Sequence, residues 1–117
     1  MPVTFEELRQ KLMTLPGVEE SPFAGTPGFK VRRRTLARLR SEVDPDSFML
    51  AKVEDMERQM LIAQSPEVYY YTQHYASGPY ILIHLSQADP DELWELIEQS
   101  WRRLASKRQL AVHEASA

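Results

Sequence analysis

A chain of 117 residues exposes roughly 20,000 Å² unfolded and roughly 6,600 Å² folded, so about two-thirds of its surface can be buried and one domain with a real core is expected. Fourteen Lys and Arg against seventeen Asp and Glu give a net charge of −3, which excludes a protein that coats nucleic acid by bulk charge and confines any polyanion site to a local patch. The absence of cysteine excludes disulfides, thiolate nucleophiles and thiolate metal sites. Apolar runs such as Tyr80-Ile81-Leu82-Ile83 fall far short of the ~20 residues of a membrane span.

In chain order, Thr4 and Glu7 have capping-box spacing, and Phe5, Leu8, Leu12 and Leu15 then recur at helical intervals until Pro16-Gly17 stops the helix. From Val18 to Val53 the apolar pattern alternates, which predicts antiparallel strands. Phe29 and Val31 face one way, Lys30 and Arg32 the other, and Ala37 and Leu39 oppose Leu36, Arg38 and Arg40. This pattern predicts a hairpin turning at Arg33-Arg34. After a polar loop, Phe48 to Val53 reads as a central strand. Glu54-Asp55 opens a short helix carrying Met56, Met60 and Ala63, which Ser65-Pro66 closes.

Val68 to Thr72 and Tyr80 to Leu85 are the last strands, joined by a loop too long for a tight turn. Asp89-Pro90 supplies an N-cap and a first-turn proline, and Trp94, Ile97, Trp101 and Leu104 mark the closing helix. Its early acids and late bases, from Asp91 to Arg108, suit the helix dipole. Residues 1–112 are expected to form a single α+β domain, with one antiparallel sheet covered on one face by the N- and C-terminal helices. The other face is left open, and residues 113–117 are expected to form a flexible tail.

The strongest local anomaly is cationic. Lys30, Arg32, Arg33, Arg34, Arg38 and Arg40 place six positive charges in eleven residues without an acid. By alternation Lys30, Arg32, Arg38 and Arg40 share a face of the hairpin, a ribbon able to neutralise several phosphates. The same charges would also block edge-to-edge strand aggregation. Tyr69, Tyr70, Tyr71, Tyr75 and Tyr80 cluster within twelve positions. Sheet packing is their preferred role, with stacking of single-stranded bases as the alternative.

Of the histidines, His74 lies in a loop, where it either fixes the chain path or contacts a ligand, while His84 is expected opposite Ile83 and Leu85 and His113 in the tail. Glu19-Glu20, Asp44 and Asp46, and the acids after Asp89 read as turn and helix-start features. No phosphate-loop, nucleophile-elbow, zinc-protease or dinucleotide fingerprint occurs, so no enzyme activity, metal or cofactor is expected.

The segments Leu15-Pro16-Gly17-Val18-Glu19-Glu20, Gly25 to Val31, Ala37-Arg38-Leu39, Pro66-Glu67-Val68, His74-Tyr75, Leu82 to Leu85 and Asp89-Pro90-Asp91-Glu92-Leu93 follow a recognisable order. Together they resemble the MmcQ/YjbR-like family of small bacterial proteins from Thr4 to about Lys107. The resemblance implies a sheet with helices across one face, similar to frataxin and its bacterial counterparts, and carries the family's common label of DNA binding. Two positions depart from the pattern: Arg33-Arg34 stands where relatives have Gly-Lys, and Tyr80 where many have Trp. The first helix has only Glu6 and Glu7 as acids, so iron handling is not carried over.

The resulting expectation is a cytoplasmic, non-enzymatic module that binds DNA weakly and non-specifically through Lys30, Arg32, Arg33, Arg34, Arg38, Arg40 and the open sheet face, with no membrane partner. The alternative is an adaptor whose cationic hairpin meets an acidic protein, and a third possibility is a small-ligand pocket at His74, Tyr75 and Tyr80.

Overall fold

The computed structural model describes residues 3–22, 26–39 and 46–115, apart from the His74 side chain. Helix α1 (Phe5–Thr14) opens on the expected capping box: the Glu7 amide donates to the Thr4 hydroxyl at 3.1 Å, and the Thr4 amide to the Glu7 carboxylate at 3.4 Å. It buries Leu8 and Leu12, and the chain reverses through Gly17, whose φ of 77° suits a residue without a Cβ. Strands β1 (Val18–Glu20), β2 (Gly28–Val31), β3 (Arg34–Leu39) and β4 (Ser47–Ala51) follow, then α2 (Asp55–Gln64), β5 (Tyr69–Tyr70), β6 (Tyr80–His84), α3 (Pro90–Leu104) and α4 (Lys107–Ala115). Single 3-10 turns occupy Gln73–Tyr75 and Leu85–Gln87.

The strands form one sheet in the order β1-β2-β3-β4-β6-β5, antiparallel at every pairing. Every residue of β4 is buried, as the uninterrupted apolar segment predicts for a central strand. Phe29, Val31, Phe48, Leu50, Ile81 and Ile83 meet Leu8 and Leu12 of α1 and Leu93, Ile97, Trp101 and Leu104 of α3 in the main core. The expected α+β arrangement, one sheet under N- and C-terminal helices, is therefore the observed one. Asp89 caps α3 by accepting the Glu92 amide at 3.0 Å. Tyr69 also faces the helices and donates its hydroxyl to Glu92. Burial first, and then that carboxylate, push the Tyr69 phenol above its ordinary range. Among the described residues no helix is long and apolar enough to cross a membrane.

Four local expectations are corrected. The hairpin turns at Arg32-Arg33, not Arg33-Arg34: Val31 pairs with Arg34, and the two turn residues have φ of 54° and 68°, the left-handed values of a type I′ turn. Leu36 joins the helix-side core with Ala37 and Leu39. The register slips between Phe29 and Lys30, and the extra residue breaks strict alternation. In α2, Met56 and Met60 are 77% and 58% exposed, whereas Arg58 is the buried residue. The closing helix breaks after Leu104 and restarts as α4, so residues 113–115, expected in the tail, are helical, while residues 116 and 117 lie outside the described residues. His113 packs edge-on to Trp101 with ring centroids 4.9 Å apart and bonds Glu98 at 2.8 Å. That bond is the main reason the Glu98 carboxyl lies below its usual range. Within the stripe, Trp94 is only half-buried while Trp101 is fully buried.

Candidate functional site

Pairing places Gly28, Lys30, Thr35, Arg38, Met49, Ala51, Leu82 and Tyr80 on the sheet face away from the main core, because cross-strand partners share a face: Lys30 with Thr35, Gly28 with Arg38, Arg38 with Met49, Met49 with Leu82 and Ala51 with Tyr80. This face is not left wholly to water. The chain between β5 and β6 folds back over it, and Tyr75 packs with Met49, Ala51 and Leu82 as a second small core, with Tyr70 and Tyr80 against its rim.

Arg58 holds that loop. Its guanidinium Nη1 donates to the carbonyls of Tyr75, Gly78 and Tyr80 at 3.1 Å each, and Nη2 to the Ala76 carbonyl at 2.9 Å and the Asp55 carboxylate at 3.0 Å. Cζ stands 4.3 Å from the centre of the Tyr71 ring. A buried charge is tolerated only when so many acceptors replace its water. The Tyr80 ring lies against Gly78, where an added Cβ would come within 2.2 Å of Cε2. Only glycine allows that approach. Tyr75 meets Tyr80 edge-on, with centroids 5.4 Å apart and planes at 66°.

Beside these rings the face opens into a hollow of about 280 Å³ lined by Ser21, Gly28, Phe29, Lys30, Thr35, Ala37, Arg38, Met49, Tyr75 and Tyr80. A second hollow of about 290 Å³, bordered by Arg34, Thr35, Ala51, Lys52, Pro79 and Tyr80, shares Thr35 and Tyr80 with the first. Neither lining contains an acid among the described residues. Glu19 stands opposite Lys30 in the register at the β1 edge, outside both linings. Arg38 Nε donates to the Thr26 hydroxyl at 3.3 Å, which steadies its stem at the mouth.

Of Lys30, Arg32, Arg38 and Arg40, which alternation places on one face, Arg32 leaves the ribbon. Lys30 and Arg38 share the open face. Arg32 sits in the turn and reaches the other way, its Nη1 3.5 Å from the Leu104 carbonyl at the end of α3, where a cation suits the helix dipole. Arg33 is exposed at the turn. Arg34 pairs with Val31, a residue of the covered side, and borders the second hollow. Arg40 lies outside the described residues, as does the side chain of His74, whose backbone belongs to the turn Gln73–Tyr75. Tyr75 and Tyr80 are brought together at the hollow.

Lys52 and Arg58 were missed. Lys52 follows β4 in a left-handed conformation, φ 61°, and no spacing ties it to the hairpin. Arg58 did leave a trace: it precedes Leu61 and Ile62 at i+3 and i+4, the partly buried positions of α2. At the far end of the face His84 stacks on Tyr70 at 4.4 Å and lies 3.7 Å from the Asp46 carboxylate. Asp46 also accepts the amide and hydroxyl of Ser86 at 2.8 and 2.7 Å. These bonds tie the start of β4 to the end of β6.

A family model, YjbR, matches residues 13–103. The chain belongs to the YjbR family. The uncharacterised proteins Rv2570 of Mycobacterium tuberculosis and Mb2600 of Mycobacterium bovis are each 32% identical to it over 80 residues, 68% of this chain. The match spans 62% of those relatives' own length. The crystal structure of the Deinococcus radiodurans protein DR2400, with a DUF419 domain, is similar at a TM-score of 0.75 and 25% identity, covering 89% of this chain and 80% of that one. The family suggested by the order of motifs is thus the family found, and the Deinococcus protein shares the fold.

Proposed function

We propose that this YjbR-family chain is a binding module that meets DNA weakly and without sequence preference through the open sheet face. The observation that carries the reading is the pair of adjoining hollows whose linings hold Lys30, Arg38, Arg34 and Lys52 without an acid, in a chain of net charge −3. Segregated positive charge of this kind attracts phosphates locally while the acidic remainder limits affinity, so micromolar or weaker binding is expected at physiological salt.

Fluorescence anisotropy of a labelled oligonucleotide across a salt series tests it. Log affinity is expected to fall linearly with log salt, by about 0.7 to 0.9 per phosphate neutralised, with two to four contacts made by the lining cations. The double variant Lys30→Glu, Lys52→Glu should weaken binding to every sequence alike, because phosphate contacts position a protein without reading bases. Absence of binding at low salt, where attraction is least screened, would overturn the reading. Retention of an acidic protein by the parent chain and not by the double variant, without any binding to nucleic acid, would support the adaptor instead.

A further inference from the structure

The first hollow has a construction that phosphate attraction alone does not require. A phosphate needs cations at a rim; it does not need two tyrosine rings held at a fixed angle beside apolar surface. Here the loop carrying Tyr75 and the start of β6 at Tyr80 are held by a buried arginine on the carbonyls of Tyr75, Ala76, Gly78 and Tyr80, and the Tyr80 ring lies against a glycine that leaves no room for a side chain. Met49 supplies apolar surface to the hollow, beside Gly28, where the lining has no side chain. Ser21 and Thr35 place hydroxyl groups in the lining, and Lys30 and Arg38 flank it.

We propose that this hollow receives one unpaired nucleobase of a single-stranded segment, with Tyr80 as its stacking surface and Lys30 and Arg38 on the adjacent phosphates. The inference rests on the nucleic-acid reading above and adds the form of nucleic acid bound. The volume, about 280 Å³, falls just below the roughly 300–1,000 Å³ of ligand pockets, the scale of one flat ring system and not of an extended ligand. Tyr80 lines both hollows, so a strand crossing its ring would pass from Lys30 and Arg38 to Arg34 and Lys52. Rings set on a backbone that Arg58 holds, and packed on the small core, lose little freedom when a base stacks on them, which is the advantage of a preorganised site. A duplex keeps its bases inside the stack and can use only the rim cations.

Anisotropy at low salt with a labelled single strand, a hairpin duplex of the same sequence and an abasic strand of the same length separates the possibilities. The parent is expected to bind the single strand about tenfold more tightly than the duplex or the abasic strand, the effect of one stacked base. Tyr80→Leu should bring single-strand affinity down to that of the abasic strand, and Tyr80→Phe should keep the parent's preference. Because Tyr80 touches the small core, the abasic comparison on the parent serves as the second measurement. Equal binding of single, abasic and duplex forms, each with the expected salt slope, would overturn this inference alone. A free mononucleotide that competes as well as the strand would overturn it in favour of a nucleotide site. No binding of any form would remove the nucleic-acid reading and this inference with it.

Discussion

Trp101→Ala is expected to lower stability by about 3–5 kcal/mol, the range for deleting a fully buried aromatic side chain. The indole has no exposed surface and sits among the main-core residues contributed by α1, α3 and the sheet. Its Nε1 donates to the Pro16 carbonyl at 2.8 Å, 85 residues earlier in the chain, so it also ties α3 to the turn after α1. Because small domains are stable by only about 5–15 kcal/mol, the variant should be partly unfolded near room temperature. Trp101→Phe keeps most of the packing but leaves the carbonyl without its donor, a loss of about 1–3 kcal/mol. Trp94, half-buried, is the control whose replacement should cost less. Urea denaturation measures all three, and a Trp101→Ala midpoint equal to the parent's would refute the packing assigned to α3.

Arg58→Met is expected to cost about 1–3 kcal/mol, the range for leaving buried acceptors without their donor, while the Asp55 side chain, 65% exposed, keeps its water. Four carbonyls that the guanidinium now serves, those of Tyr75, Ala76, Gly78 and Tyr80, would lose a donor. The damage should be localised. Hydrogen exchange is expected to quicken across residues 72–80 while α1 and α3 stay protected. Arg58→Lys should recover only part of the loss, since an ammonium cannot span these acceptors with a planar fork. Unchanged exchange in residues 72–80 of Arg58→Met would show that the loop is held by something other than this clamp.

What was legible in the sequence was local chemistry. Thr4 with Glu7, and Asp89 with Pro90, announce helix starts because a cap is made by residues within three positions of each other. The alternation in β2 and the unbroken apolar segment of β4 show a half-buried and a central strand for the same kind of reason. What was not legible depends on partners far along the chain. Arg58 is buried because carbonyls 17 to 22 residues away converge on it, and Met56 and Met60 imitated an apolar stripe that the helix does not use.

Alternation failed where it is physically weakest. One bulged residue moved Leu36 to the covered face, and one residue of turn register sent Arg32 to the end of α3 instead of the open face. For the candidate site, the sequence showed the cations and the tyrosines but not which of them meet. Lys30, Arg38, Tyr75 and Tyr80 converge, whereas Arg32 does not, and Lys52 enters from the end of β4. The two left-handed arginines of the turn, each costing about 1–2 kcal/mol relative to a relaxed conformation, gave no sign in a sequence where Asn-Gly would be the ordinary choice.

The central claim, that the open face binds nucleic acid, is tested most directly by mapping the contact residue by residue. Two-dimensional amide spectra of the isotope-labelled protein, titrated with an unlabelled single-stranded oligonucleotide at low salt, should show shifts confined to Lys30, Thr35, Arg38, Met49, Lys52 and Tyr80 and their neighbours, and the shifts should fade as salt is raised. Shifts centred on the outer surfaces of α1 and α3, or none at oligonucleotide concentrations well above the micromolar range, would contradict it.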